Sequence, residues 1–151
     1  MPTESDLILK NFMPLVAQSA RQWRRAIDRQ LLPLGLTEAT WLPLLHLSRS
    51  QQPPRQKDLA HALQLDSSSV VRLLDALQSA GFIERAEGQD RRAKTVELTD
   101  AGRAAVSKVE RVVDAVRADY LGAVDKTDLA TAYRIMQQLS EALTANLEQP
   151  E

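Results

Sequence analysis

Apolar residues recur along this chain at spacings of three and four, which predicts a mainly helical protein. The first stripe runs through residues 6–32, and a second begins after Thr37. Two shorter stripes follow in residues 56–65 and 67–80. Beyond Gly102 the pattern returns at Val106, Val109, Val113, Val116, Tyr120 and Val124, and again at Leu129, Ala132, Met136, Leu139, Leu143 and Leu147. The C-terminal third is therefore expected to form two long amphipathic helices.

Residues with special backbone or capping behaviour predict where these helices begin and end. Pro14 has no amide hydrogen, so a kink or a restart is expected near it in the first helix. Thr37 is expected to cap the second helix, and the hydroxyls of Ser67–Ser69 are expected to cap the helix over 67–80. Gly81 is expected to end that helix in the left-handed conformation. Gln64 occupies the position where a helix-turn-helix usually has glycine.

Two short runs with a β pattern follow, Phe82–Glu87 and Thr95–Leu98. The polar turn Gly88–Lys94 between them holds three cations. Helix, turn, helix and basic hairpin in this order predict a winged helix-turn-helix. The expected fold is mainly α with a small β-hairpin wing, flanked by long N- and C-terminal helices.

The hairpin sequence resembles the wing of the MarR family of transcriptional regulators. Asp90-Arg91-Arg92-Ala93-Lys94 is similar to the D-x-R-x-K motif of that wing, and Leu98-Thr99-Asp100-Ala101-Gly102 to the L-T-x-x-G motif that follows it. Residues 36–41 (LTEATW) and 71–77 (VRLLDAL) resemble the SlyA branch in particular. The resemblance extends from about Trp23 to the C-terminal helices.

The long terminal helices have more apolar surface than a small DNA-reading lobe needs to cover itself. The resemblance implies an intertwined homodimer, with a lobe over residues 36–99 and dimerisation helices over 6–32 and 100–148. Two-fold symmetry then implies a palindromic operator on double-stranded DNA. A monomeric helical bundle is the alternative.

Candidate DNA-binding residues lie on the second helix of the reading unit and in the hairpin turn. Arg72 is placed to contact guanine, although an intrahelical pair with Asp75 is the alternative. Asp90 can hold Arg92 in one rotamer for insertion into the minor groove, unless the hairpin is merely a solvated charged turn. The full DNA-binding set is Ser67, Ser68, Ser69, Arg72, Asp90, Arg91, Arg92 and Lys94.

The resemblance to the SlyA branch also implies a small aromatic carboxylate as effector. Trp41 is the candidate stacking wall and His46 a polar wall, although both residue types more often serve packing. Arg21, Arg25 and Arg72 are the candidate carboxylate partners, because a guanidinium fork matches a planar carboxylate. The alternative for the arginines on the first helix is a solvated face.

Composition narrows the class of protein. The chain has 151 residues, no cysteine and a net charge of −1, so DNA contact must come from local charge. No apolar segment approaches the ~20 residues of a membrane span, and a cytoplasmic protein is expected. We find no motif for an enzyme, a cofactor or a metal site.

Three hypotheses remain: a ligand-released regulator, a ligand-independent regulator that competes with other DNA-bound proteins, and a winged-helix protein-interaction module.

Overall fold

The computed structural model describes residues 1–87 and 94–148. It is mostly helical with one two-stranded antiparallel sheet, which confirms the predicted fold class. In chain order the elements are α1 (Glu4–Leu31), a 3-10 turn (Leu32–Leu34), α2 (Glu38–Arg49), α3 (Gln56–Leu63), α4 (Ser67–Ser79), β1 (Ile83–Glu87), β2 (Lys94–Leu98), α5 (Asp100–Leu121) and α6 (Lys126–Leu147). None of the described helices is long and apolar enough to cross a membrane.

The core of the lobe lies under α4 and the hairpin. Leu74 of α4 and Leu44 of α2 are fully buried, and Trp41, Ile83 and Val96 are nearly so. The strands pair in the register Ile83↔Leu98 through Glu87↔Lys94. The stripes of α2 and α4 thus supply the inner faces of these two helices, and the alternation along the strands supplies the inner face of the hairpin.

The segment before α3 lies along the free edge of β2. The Val96 amide donates a hydrogen bond of 3.0 Å to the Pro54 carbonyl, and Arg55 forms an isolated bridge with Thr95. The hairpin is therefore tied to the start of α3 by backbone hydrogen bonds.

The turn between α3 and α4 depends on Gln64, which has φ 55°. Its amide and that of Leu65 donate to carbonyls near the end of α3, and the Leu65 amide reaches the Ala60 carbonyl at 2.9 Å. A left-handed backbone costs a non-glycine residue about 1–2 kcal/mol. The position that usually holds glycine thus keeps its left-handed geometry here with a glutamine.

Two expected helix signals can be compared with the structure. The helix α1 runs without a restart through Pro14, where the surrounding residues are exposed and the carbonyl left without a partner can bind water; the alternative, a kink there, stays a prediction. Thr37 occupies the N-cap position of α2, but its side chain makes no cap hydrogen bond, which corrects that prediction. Its hydroxyl instead lies 3.3 Å from that of Thr40.

The start of α5 is fixed against the end of α4 by the L-T-x-x-G motif. The Thr99 hydroxyl donates to the Gly81 carbonyl at 2.5 Å and accepts the Gly102 amide at 3.1 Å. Gly102 faces the Phe82 carbonyl so closely that a Cβ there would overlap the carbonyl oxygen. Gly81 itself has φ 83° just beyond α4, as predicted.

The chain forms two compact units, Met1–Asp114 and Ala115–Glu151. In the first, α1 is buried only near its end, at Ile27 and Leu31. Its N-terminal half exposes apolar side chains, namely Leu7, Ile8, Leu9, Phe12, Met13 and Leu15. In the second unit, α6 has no buried residue and exposes Tyr133, Ile135, Leu143 and Leu147. The functional division into a lobe over 36–99 and dimerisation helices stays a prediction.

Candidate nucleic-acid interface

The N-terminal turn of α4 is organised by Asp66. Its carboxylate accepts the Ser69 amide at 2.7 Å, the Ser68 hydroxyl at 2.9 Å and the Ser69 hydroxyl at 3.1 Å. These bonds, the one from the Ser69 amide first, lower the pKa of Asp66 below its ordinary value. Asp66 is therefore the cap of α4, and the prediction that the serine hydroxyls cap it is wrong.

This network determines what the serines can offer a ligand. A hydroxyl has one hydrogen, and Ser68 and Ser69 both donate theirs to Asp66. Their outward side consists of lone pairs, while Ser67 is exposed at the first position of α4. In this arrangement, Ser68 and Ser69 can accept a hydrogen bond without losing the cap.

Arg72 lies on the exposed side of α4, one turn beyond the serines. Within residues 1–87 and 94–148 it forms no salt bridge, because Asp75 pairs with Arg85 instead, at 2.5 Å. The intrahelical Arg72–Asp75 pair that the spacing allowed is therefore not formed. Arg72 is therefore exposed on α4 and has no ion pair among the described residues.

Arg85 is a residue of this surface that the sequence analysis missed. Its Nη2 bonds the Asp75 carboxylate at 2.5 Å and its Nε bonds the Gln78 side-chain oxygen at 2.6 Å. The sequence signal was available: Arg85 lies two positions after the buried Ile83, so it belongs to the same inner face of β1.

A groove of about 680 Å³ lies between α3, the start of α4 and the start of β2. It is lined by the cations Arg55, Lys57 and Lys94, together with His61 and Ser67. Only Lys94 of the three cations was among the predicted DNA-binding residues. Arg55 and Lys57 flank the N-terminus of α3, and this grouping around one helix start is the signal that the sequence offered.

The predicted wing residues Asp90, Arg91 and Arg92 lie outside the described residues. Lys94 is exposed at the start of β2, where its Cα partner is Glu87. The described part of the hairpin thus brings one predicted cation, Lys94, to the rim of the groove.

The predicted effector residues differ in their exposure. Trp41 is buried, with 2% of its surface exposed, and its indole Nε1–H donates to Asp28 of α1 at 3.4 Å. Arg21, Arg25 and His46, by contrast, are exposed. Their role in binding an effector stays a prediction.

A separate cleft of about 560 Å³ lies between the end of α2, the following loop, β2 and the start of α5. Polar groups of Ser48, Gln51 and Ser107 share its walls with Pro53, Pro54 and Val106. Arg103 is the cationic side chain that lines this cleft, although its guanidinium already bonds the Leu98 carbonyl and Asp100. Such mixed walls suit a small molecule with one apolar and one polar part.

Comparison with known proteins places this geometry in a family. Residues 34–93 match the model of the MarR family. A solved structure of the transcriptional regulator PA3341 is 39% identical, covers 91% of this chain and 98% of its own, and superposes with a TM-score of 0.77.

Two further solved structures are more distant. The regulator MOSR of M. tuberculosis, solved in complex with DNA, is 29% identical, with coverage of 87% of this chain and 96% of its own and a TM-score of 0.66. CouR from Rhodococcus jostii RHA1, bound to p-coumaroyl-CoA, is 25% identical, with coverage of 83% and 88% and a TM-score of 0.72. The helix-turn-helix with its hairpin, the matched family model and the 39% identity to PA3341 lead to one conclusion: this chain belongs to the MarR family of transcriptional regulators.

Proposed function

We propose that this protein is a homodimeric regulator that binds a specific sequence in double-stranded DNA through α4. The observation that carries the proposal is that α4 has an exposed Arg72 and begins, at Ser67, in the wall of a groove lined by three cations. The chain as a whole has a net charge of −1, so this local concentration of cations is what a DNA backbone would meet. The related MOSR was solved with DNA.

The residues divide into two roles. Arg72 is one turn into α4, where a fork donor reaches the acceptor pair of guanine in the major groove. Ser67 contacts base edges or phosphates at the mouth of that groove, and Ser68 and Ser69 accept hydrogen bonds from donor groups on base edges there. Arg55, Lys57 and Lys94 bind phosphates. Arg92, held in one rotamer by Asp90, is proposed to enter the minor groove, and Arg91 is proposed to contact DNA beside it.

A second copy of the chain would cover the exposed apolar faces of α1 and α6. Two α4 helices related by two-fold symmetry enter successive major grooves about 34 Å apart, so the proposed operator is an inverted repeat. We place this activity in the cytoplasm and propose no catalytic role.

Replacing Arg72 by Ala is expected to weaken binding to the operator by about 1–3 kcal/mol and to relax the preference for one base pair. Replacing Lys57 by Ala should instead weaken binding to all sequences alike and lower the salt dependence by about one ion. We expect Arg92→Ala to weaken operator binding by at least ~1 kcal/mol, while the Tm of the free protein stays nearly unchanged. Fluorescence anisotropy at several salt concentrations measures the affinity of all three variants.

Arg29→Ala is the control, because Arg29 is an exposed arginine near the end of α1. It removes the same charge and should leave the affinity for operator unchanged. Wild-type operator affinity in Arg72→Ala would contradict the assignment of α4 as the reading helix.

We further propose that the protein belongs to the SlyA-like branch and that an aromatic carboxylate releases it from DNA. The support is the sequence resemblance and the related CouR, whose ligand has a p-coumaroyl group. The proposed contacts remain Trp41, His46, Arg21, Arg25 and Arg72. Binding through Arg72 would make the carboxylate and DNA direct competitors.

An effector must bind the DNA-free state more tightly, and tenfold release needs about 1.4 kcal/mol of difference. We expect millimolar salicylate, at constant ionic strength, to weaken DNA binding and to raise the Tm of the free protein. If salicylate and its close analogues change neither quantity, the ligand-independent competitor replaces this part of the proposal. A protein that binds no DNA at all would favour the protein-interaction module.

A further inference from the structure

We propose that Arg85 is a positioning residue that fixes β1 of the wing against the outer face of α4, so that the two DNA-reading elements approach DNA as one rigid unit. The inference rests on the proposed function. Its basis is the pair of hydrogen bonds from Arg85 to Asp75 and Gln78, at 2.5 Å and 2.6 Å. No other described arginine joins the hairpin to α4 in this way.

The geometry requires an arginine. Asp75 and Gln78 are three residues apart on α4 and therefore neighbours on its surface. A guanidinium donates from Nε and from Nη2 in fixed directions within one plane, so both bonds together define the direction of β1 relative to α4. An ammonium group would satisfy the charge of Asp75 without defining that direction.

Burial shows that this contact extends the core of the lobe toward the hairpin. Ile83 on the inner face of β1 is 1% exposed, and Val96, the Cα partner of Arg85, is also 1% exposed. The Arg85 side chain follows on the same face and is 21% exposed, against 57% for Asp75. Apolar packing thus holds the base of the hairpin, and Arg85 continues the attachment beyond it.

The contact also determines the charge of the reading face. Asp75 is a carboxylate one turn from Arg72, where it would attract that guanidinium and repel phosphate. Because Asp75 is paired with Arg85, its charge is neutralised on the wing side. Arg72 is therefore available for DNA, and this availability depends on a residue ten positions further along the chain than Asp75.

The sign of the charge change separates positioning from plain electrostatics. Asp75→Asn removes a negative charge from a DNA-binding face, so electrostatics alone predicts tighter binding. The Arg85 contact, reduced to a neutral hydrogen bond to the asparagine oxygen, predicts the opposite for a specific site, because β1 and α4 are held less firmly in the reading geometry. The two explanations thus give opposite results for one substitution.

The experiment uses a duplex that the full-length wild-type protein enriches from a random-sequence pool, and a scrambled duplex of the same composition. We expect Asp75→Asn to bind the enriched duplex about fivefold more weakly, which corresponds to about 1 kcal/mol of coupling. Binding to the scrambled duplex should be unchanged or tighter. Asp58→Asn on α3 is the matched control, since it removes the same charge from an exposed carboxylate and should not weaken binding to either duplex.

Two further variants test whether the geometry of the Arg85 guanidinium is needed. They also allow a conclusion if one of the variant proteins is unstable. Arg85→Lys keeps the charge and should still lose about fivefold on the enriched duplex, while its Tm stays within a few degrees of the wild type. The double variant Asp75→Asn, Arg85→Lys should be no weaker than either single variant, because all three disrupt the same contact. Full affinity in Arg85→Lys would show that charge alone suffices and would overturn the proposal.

The outcomes distinguish this proposal from the function on which it rests. If the wild type enriches a sequence and Asp75→Asn binds it as tightly as the wild type or more tightly, the positioning role is wrong and DNA reading stands. If the wild type enriches no sequence, the proposed function fails and the positioning role fails with it.

Discussion

Replacing Gly102 by Ala is expected to destabilise the protein by about 3 kcal/mol, at the upper end of the cost of overpacking. Gly102 is buried in the first turn of α5, and a Cβ there would overlap the Phe82 carbonyl oxygen and lie 3.2 Å from a methyl group of Leu98. The carbonyl also accepts the Thr99 amide, so it cannot move away freely. At an ordinary helical position the same substitution would stabilise by up to about 1 kcal/mol.

Urea denaturation followed by circular dichroism measures this difference in the free energy of unfolding. Ala101→Gly is the control, because Ala101 is the exposed neighbour in the same helical turn and should cost no more than about 1 kcal/mol. A Gly102→Ala protein that is as stable as the wild type would show that α5 does not approach the end of α4 as closely as described.

The second large effect concerns assembly. The double substitution Phe12→Glu, Leu15→Glu should convert a dimer into a monomer and weaken operator binding by about a hundredfold or more, since the two half-sites are no longer bound together. Phe12 and Leu15 are 38% and 58% exposed, and they share a largely apolar face of α1 with Leu7 and Ile8, which also includes Glu4 and Asn11. Two carboxylates on that face would have to lose water if it were covered by a second copy.

Sedimentation at micromolar concentration, with DNA binding measured on the same samples, tests this expectation. Lys10→Glu is the control, because helical spacing puts residue 10 on the other side of α1 from Phe12 and Leu15. It should remain dimeric. A wild-type protein that sediments as a folded monomer, or a double variant that stays a dimer with full affinity, would contradict the proposed interface.

The order of the elements was predictable because it follows from local patterns. The stripe of Val70, Leu73, Leu74 and Leu77 identified a helix with one buried face. Leu73 is half-buried and the other three residues are buried. Gly81 marked its end, since a left-handed residue at that position favours glycine. The stripe after Gly102 is buried at Val106, Val109, Val113 and Val116 and exposed at Tyr120 and Val124.

The details of the site were less predictable because they depend on contacts between elements. Asp66 and the three serines are all good N-caps, and the sequence pattern does not say which of them takes the extended backbone. Asp75 has Arg72 within helical reach, yet its partner is Arg85 on a strand. A pattern within one helix predicts only partners on that helix.

Trp41 shows the same limit. The indole donates to Asp28, thirteen positions earlier on another helix, and a stripe of apolar residues carries no information about such a partner. The wing motif, by contrast, identified the family correctly because it is a run of residue types rather than a contact. The roles of Arg91 and Arg92 on DNA stay predictions.

Selection of duplexes from a random-sequence pool by the full-length protein tests the central claim most directly. A homodimer that places two α4 helices in successive major grooves should enrich an inverted repeat whose half-sites are centred about 10 base pairs apart. Enrichment of a single half-site without symmetry would contradict the dimeric reading mode. A pool that remains random after repeated rounds would contradict sequence-specific DNA binding itself.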